Sequence, residues 1–423
     1  MTEAVITAVA AINALGSDAD AFALGLRAGR SAITSAGARL PPRARVAAGA
    51  WLDGFDRPDW PRVHGFDQAD SHRLLKAAGR CAIPARTAAC VALDALSAAS
   101  LSAEEKDRTV LIIAGNNLAL GYQAEALAAF DRGAIRPSHA LTCLDTDAIG
   151  AVSACVGIHA EAWTIGAASA SGTVAVLMAA RLIAAAEAEH CLVVAPMAEL
   201  SPAEFRALRD SGAMAHRRFL DEPDRLCRPF DQDRQGLVYG QGAAAVLVES
   251  EEAARRRGRP VLARILGGGQ HLDGRRGTEP DPAGQAAAMR AALDAAGLAA
   301  GEVDYLNAHA TGSAVGDPAE AVAIGRVFAR RSGPVVNATK ALIGHCMTGA
   351  GLQELVATVI QMTEGFIHAN PNLDRPIDQA PELAPRTATP APIEVAMSNS
   401  FAFSGINASV VIGRPRTFDG GRL

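Results

Sequence analysis

Short, nearly continuous apolar runs rich in β-branched residues constrain this chain's fold more than any other feature. They lie at Val5–Ile12, Thr109–Ala114, Cys191–Ala195, Ala243–Val248, Val261–Leu266, Val303–Ala308, Val335–Ala338, Ile393–Met397 and Ala408–Ile412. Runs this short, without polar alternation, read as strands buried on both faces. Helical patterns fall between them, at Ala82–Ala99, Gly172–Ala188, Gln285–Ala296, Pro318–Phe328 and Gly351–Thr363. Strands alternating with helices predict an α/β fold with a largely parallel sheet covered on both faces.

A weak internal echo adds to this. Trp163–Ala188 and Val335–Thr363 both run strand, small-residue loop, helix, without residue-level identity. The natural seam is Glu249–Pro260, polar and charged between two strands. Its arginines read as a solvated helix end, with phosphate binding as the second reading.

Composition excludes several classes. With 423 residues, 49% hydrophobic and 20% charged, the chain can bury a large core. A net charge of −5 argues against a general nucleic-acid binder. Seven cysteines, with no CxxC pair and no histidine cluster, read as buried free thiols rather than zinc ligands. The start, Met-Thr-Glu-Ala-Val, lacks the basic region of a leader, and the longest apolar stretch, 172–186, is interrupted by Arg181. A cytoplasmic protein with no metal and no membrane segment is expected.

Three segments carry chemistry. Trp163-Thr-Ile-Gly-Ala-Ala-Ser-Ala-Ser-Gly-Thr-Val-Ala-Val176 reads as strand, small-residue turn and helix, placing Ser169 at a helix N-terminus. Histidines follow in Asn307-Ala-His-Ala-Thr-Gly-Ser313 and in Lys340-Ala-Leu-Ile-Gly-His-Cys-Met-Thr-Gly-Ala-Gly351. Alone, a serine there is an N-cap and a histidine a satisfied core or surface group. His64, His72, His139 and His190 are read that way. Cys346 and Cys155 are read as structural thiols.

With Arg228-Pro-Phe-Asp-Gln-Asp-Arg-Gln-Gly-Leu-Val-Tyr-Gly-Gln-Gly242 and Ser398-Asn-Ser-Phe-Ala-Phe-Ser-Gly-Ile-Asn407, these segments resemble the β-ketoacyl synthase family. Within it the pattern is similar to the type II 3-oxoacyl-[acyl-carrier-protein] synthases, over essentially the whole chain. The resemblance implies a thiolase-like five-layered αβαβα sandwich of two similar halves, usually a homodimer. Residues 1–250 form the half with the nucleophile position, and 251–423 the half with both histidines. Ser169 takes the nucleophile position, normally cysteine; His309 and His345 match the catalytic histidines. Lys340 and Glu354 fall at the family's offsets from His345. Asp317 and Glu320 match acidic positions after His309, with a helix N-terminal role as the even alternative. Thr311 follows His309 in the same motif, and Phe403 matches a gating phenylalanine. The family's Gly-Glu-Gly is Gly240-Gln-Gly242 here, and its glycines in the phenylalanine turn are Ala402 and Ser404. Those replacements predict a stiffer gate.

The exchange at 169 sorts the chemistry. Condensation needs a thiolate to take up an acyl group, and a serine hydroxyl is a far weaker acceptor without a general base. Decarboxylation needs only donors that stabilise an enolate oxygen. Serine-bearing relatives are associated with β-branching cassettes of bacterial polyketide pathways, where malonyl-carrier becomes acetyl-carrier for a hydroxymethylglutaryl-synthase-like partner. The expected substrate therefore rides the phosphopantetheine arm of an acyl carrier protein, with no cofactor of the enzyme's own. Carriers are acidic, so Arg73, Lys76 and Arg80 on one helical face, and Arg217 with Arg218, are candidate docking groups. Two alternatives stay open: an acyltransferase or condensing enzyme using Ser169, and a non-catalytic chain-length-factor-like subunit.

Overall fold

The computed structural model describes residues 2–328 and 333–416. The strands of its main sheet are β1 (Ala4–Asn13), β2 (Val110–Ala114), β3 (Ala162–Ile165), β4 (His190–Ala195), β5 (Gly242–Ser250), β6 (Ala263–Leu272), β7 (Tyr305–Asn307), β8 (Val335–Asn337), β9 (Val395–Ala402) and β10 (Ile406–Gly413). They form one ten-stranded sheet in the order β8-β7-β9-β10-β6-β1-β5-β4-β2-β3. Read outward from the central β1–β6 pair, the first half runs 1-5-4-2-3 and the second 6-10-9-7-8. The halves share strand order and strand direction, so the internal echo is a repeat of topology rather than of residues.

The sheet is mixed, which corrects the largely parallel expectation. β1–β5, β5–β4, β1–β6, β6–β10 and β10–β9 are antiparallel, whereas only the outer pairs β4–β2, β2–β3, β9–β7 and β7–β8 are parallel. The apolar pattern misled because antiparallel strands in the middle layers are buried on both faces too. β9 and β10 meet through the tight turn at 403–405, which permits only an antiparallel pair.

Helices complete five layers. α1 (Ile83–Ala99) and α2 (Thr146–Val156) cover the outer face of the first half, while α4 (Pro282–Ala296) and α5 (Gly316–Val327) cover that of the second. Between the two half-sheets lie α3 (Ser171–Ala184) and α7 (Ala350–Glu364), packed on each other and on both. Helix α7 is buried at every residue from Ala350 to Met362, and its polar members Gln353, Glu354, Thr358 and Gln361 each find a hydrogen-bond partner inside.

Two glycines set how closely the central helices approach. A Cβ on Gly172 would lie 2.4 Å from the Leu352 nitrogen, and one on Gly351 would lie 2.5 Å from Thr173 Oγ1. The N-terminal ends of α3 and α7 therefore meet, and the chain entering each carries a candidate catalytic residue. The seam is less solvated than its charge suggested. Glu249 is fully buried and accepts hydrogen bonds from His190 Nδ1 at 2.8 Å and Arg257 at 2.6 Å. Only the short helix 251–256 beyond it is a surface element.

Candidate active site

Ser169 sits where sheet becomes helix. Strand β3 ends at Ile165, a single 3₁₀ turn spans Ala168–Ala170, and α3 begins at Ser171. Ala168 adopts a left-handed φ of 47°, a conformation an L-residue takes at some cost in strain, and this sharpens the corner. The Ser171 hydroxyl accepts from the Ala167 amide at 2.8 Å and donates to the Ala168 carbonyl at 2.7 Å. The corner is pinned, and Ser169 remains half-buried against the cavity.

The second half repeats the corner. Met347 has φ 53° in the 3₁₀ turn 347–349 that leads into α7. His345 precedes it, its backbone locked alongside the short strand Tyr239–Gly240 by His345 N to Val238 O at 2.7 Å and Gly240 N to His345 O at 2.9 Å. Gly240 cannot be larger, because a Cβ there would lie 2.1 Å from the Ile343 carbonyl.

Hydrogen-bond partners fix both imidazole tautomers. The Met347 amide donates to His345 Nδ1 at 3.0 Å, so the proton of the neutral ring lies on Nε2. His345 Nε2 is 3.0 Å from Ser169 Oγ, so the ring donates to the serine and has no free lone pair to deprotonate it. The Lys340 ammonium lies 3.4 Å from His309 Nδ1 and can only donate, leaving Nε2–H on His309 also. Burial first, then the Lys340 charge, holds both histidines well below their ordinary range, with the His345 ring also depressing His309. Two neutral rings whose centroids are 5.6 Å apart therefore each carry an Nε2–H.

Carboxylates hold this pair from behind. Lys340 is ion-paired to Glu354 of α7, both fully buried. Burial raises the Glu354 carboxyl to about 7 despite the opposing Lys340 charge. Glu320 accepts from the His309 amide at 2.9 Å and the Ala310 amide at 2.7 Å, and Asp317 from the Ser313 and Phe230 amides at 3.0 and 2.8 Å. Both are buried at the start of α5, so the plain surface helix-end reading gives way to clamps on the His309 loop. Burial lifts them to about 7 and about 6 respectively. Cys346 is buried beside the site with its thiol pushed to about 12, a structural group, as is buried Cys155.

Ser169, His309 and His345 line one cavity of about 310 Å³, with Thr311, Asp317, Glu320 and Phe403 also in its wall. Among the described residues, no lysine or arginine lines it. Phe403 is half-exposed at the β9–β10 turn. Ala402 sits at φ −122°, which alanine adopts freely, whereas Ser404 holds φ 65° and donates its amide to Gly277 O at 2.8 Å. The substitution at 404 is thus the strained one. Arg73, Lys76, Arg80, Arg217 and Arg218 are exposed and lie outside the cavity wall; Arg73 faces Asp70 at 3.8 Å and Arg218 is paired with Asp233. Sequence reasoning missed Phe401, whose ring centroid is 6.1 Å from that of His309, and the Asn116–Asn117 turn of the wall. The asparagine doublet after an apolar strand was the available signal.

A serine at the family's nucleophile corner, two histidines and a buried lysine–glutamate pair define a thiolase-like ketosynthase site. The β-ketoacyl synthase N-terminal domain matches residues 1–254 and the β-ketoacyl synthase C-terminal domain residues 262–374, so the chain belongs to the β-ketoacyl synthase family. It is 33% identical to the polyketide biosynthesis malonyl-ACP decarboxylase PksF of Bacillus subtilis, over 97% of this chain and 96% of that protein. The fold is also that of the ishigamide ketosynthase/chain length factor, with TM-score 0.85, 26% identity, and coverage of 98% of this chain and 100% of that one. A β-ketoacyl synthase from Burkholderia phymatum matches with TM-score 0.85 and 27% identity, over 98% and 100% of the two chains.

Proposed function

We propose that this chain decarboxylates malonyl-acyl carrier protein to acetyl-acyl carrier protein in polyketide biosynthesis. One observation carries the reading: the group at the nucleophile corner is a serine that accepts a hydrogen bond from His345 Nε2–H. That geometry leaves Ser169 without a base, which an oxygen nucleophile requires. With substrate bound, the thioester oxygen takes the His345 Nε2–H over from Ser169 and accepts the His309 Nε2–H beside it. As the bond between C2 and the carboxylate carbon breaks, its electron pair moves into the enolate and negative charge gathers on that oxygen. Carbon dioxide leaves, and one proton from solvent goes to C2 to give the acetyl thioester. Among the described residues the wall holds no lysine or arginine to ion-pair the malonyl carboxylate, which favours its loss as a neutral gas over its retention. The likeness to PksF supports the same reading.

We infer that an acyl carrier protein delivers the substrate, with its phosphopantetheine arm in the cavity and its acidic surface on exposed cations such as Arg73, Lys76, Arg80, Arg217 and Arg218. A hydroxymethylglutaryl-synthase-like enzyme would consume the acetyl-carrier product. The test is intact-protein mass spectrometry of malonyl-carrier incubated with the enzyme. Conversion to acetyl-carrier with the enzyme's mass unchanged is expected. An acyl mass on the enzyme would instead favour the transferase reading, and no change in either protein the chain-length-factor-like reading.

A homodimer fits the same picture. β3 ends the sheet with an open edge and an exposed Trp163, and the region 120–144 exposes Leu127, Phe130, Leu141 and Leu144. Apolar side chains clustered on one stretch of surface mark an association site. Sedimentation is expected to give twice the chain mass at micromolar concentration; a monomer there would remove the dimer from the proposal.

A further inference from the structure

Behind the catalytic cavity lies a polar network that no role so far described uses. Asn307, Thr339 and His368 are all buried, among the further buried polar side chains Tyr305, Asn337 and Gln361. Asn307 Nδ2 donates to Thr339 Oγ1 at 2.6 Å. Thr339 Oγ1 lies 3.2 Å from His368 Nε2, and His368 Nδ1 lies 2.9 Å from the Ala369 carbonyl. A carbonyl only accepts, so His368 carries its proton on Nδ1 and presents a bare Nε2. The threonine hydroxyl must then donate to His368 while it accepts from Asn307. Every bond in the chain points one way.

Its placement gives the chain a purpose. Asn307 ends β7, two residues before His309. Thr339 precedes Lys340, the first residue of α6 (Lys340–Ile343). The His368 amide donates at 2.8 Å to Gln361 Oε1 on α7, the helix that carries Glu354, and Gln361 Nε2 donates at 3.1 Å to the Tyr305 hydroxyl on β7. The three segments that bear His309, Lys340 and Glu354 are thus bolted together one to seven residues from those side chains. Burial keeps His368 neutral, with its titration pushed down to about 4, so the chain holds its direction through the physiological range. An apolar core would pack these segments as firmly, but it would not fix their register at the level of a single hydrogen bond.

We infer that Asn307, Thr339 and His368 are positioning residues that set the Lys340 ammonium against His309 Nδ1 and so hold the Nε2–H tautomer of His309. The inference rests on the proposed decarboxylase reading for its kinetic readout, but not for its spectroscopic one. Thr339→Val keeps shape and removes the hydroxyl; Thr339→Ser keeps the hydroxyl. For Thr339→Val, which removes both hydrogen bonds of the hydroxyl, kcat for malonyl-carrier is expected to fall about tenfold, with KM unchanged. Thr339→Ser should recover most of that rate. In the protein carrying ¹⁵N-labelled histidine, the His309 signal, assigned by its absence from His309→Asn, should report Nε2 protonation in the wild type. It should shift toward a tautomer mixture in Thr339→Val.

Full kcat in folded Thr339→Val, or equal losses in the valine and serine variants, would overturn the inference. So would a His309 tautomer unchanged by the valine. Should Thr339→Val not fold, His368→Phe removes the acceptor while keeping a ring, and the same expectations apply. A wild-type protein that turns nothing over would count against the decarboxylase reading, while the tautomer signal would still decide for or against the chain.

Discussion

Ser169→Cys is expected to convert a protein that takes up no acyl group into one that does. Cysteine differs from serine by one atom, so the corner at 167–171 should keep its shape. A thiol there stands at the N-terminus of α3, where the helix dipole favours the thiolate, the nucleophilic form. Incubated with acyl-carrier, the variant should gain one acyl mass per chain, while the wild type under the same conditions gains none. Malonyl decarboxylation should survive, because the histidines are untouched. A variant that never loads would mean that residue 169 does not occupy the acceptor position. A wild type that loads as well would mean that its hydroxyl finds a base despite the tautomer of His345.

The second large effect belongs to the histidines. His309→Ala and His345→Ala should each lower kcat for decarboxylation by about 10²–10³, the usual effect of removing one donor to a developing oxyanion. KM should change little, because the interaction strengthens as the carboxylate leaves rather than on binding. The double variant should fall short of the product of the two losses, since the rings serve one oxygen. Steady-state rates measured with malonyl-carrier decide this. If either single variant ran near the wild-type rate, that ring would have no part in stabilising the enolate.

Much of this site is legible along the chain because its chemistry is local. Ser169 and His309 each lie in a small-residue turn following a strand, His345 follows the short helix α6, and its offsets to Lys340 and Glu354 follow from α6 and α7. Sheet direction was not legible. β5 and β10 are as apolar as parallel strands, since layers on both sides remove the polar alternation that would mark them as antiparallel. The burial of Glu249 was also hidden, because its partners His190 and Arg257 come from other elements. Nothing along the chain marks out His368 for the same reason: its partner Thr339 lies in a different segment, and only the fold brings them together.

The sequence by itself determined the family, the alternation of strands and helices, and the exchange of cysteine for serine at residue 169. Each of these is written in residues adjacent along the chain. The tertiary structure decided which way the protons point. Whether His345 activates Ser169 or donates to it depends on an amide two residues away meeting Nδ1, and the His309 tautomer depends on a lysine from another segment. Proton direction is set by the third partner in space, and no spacing along the chain encodes it.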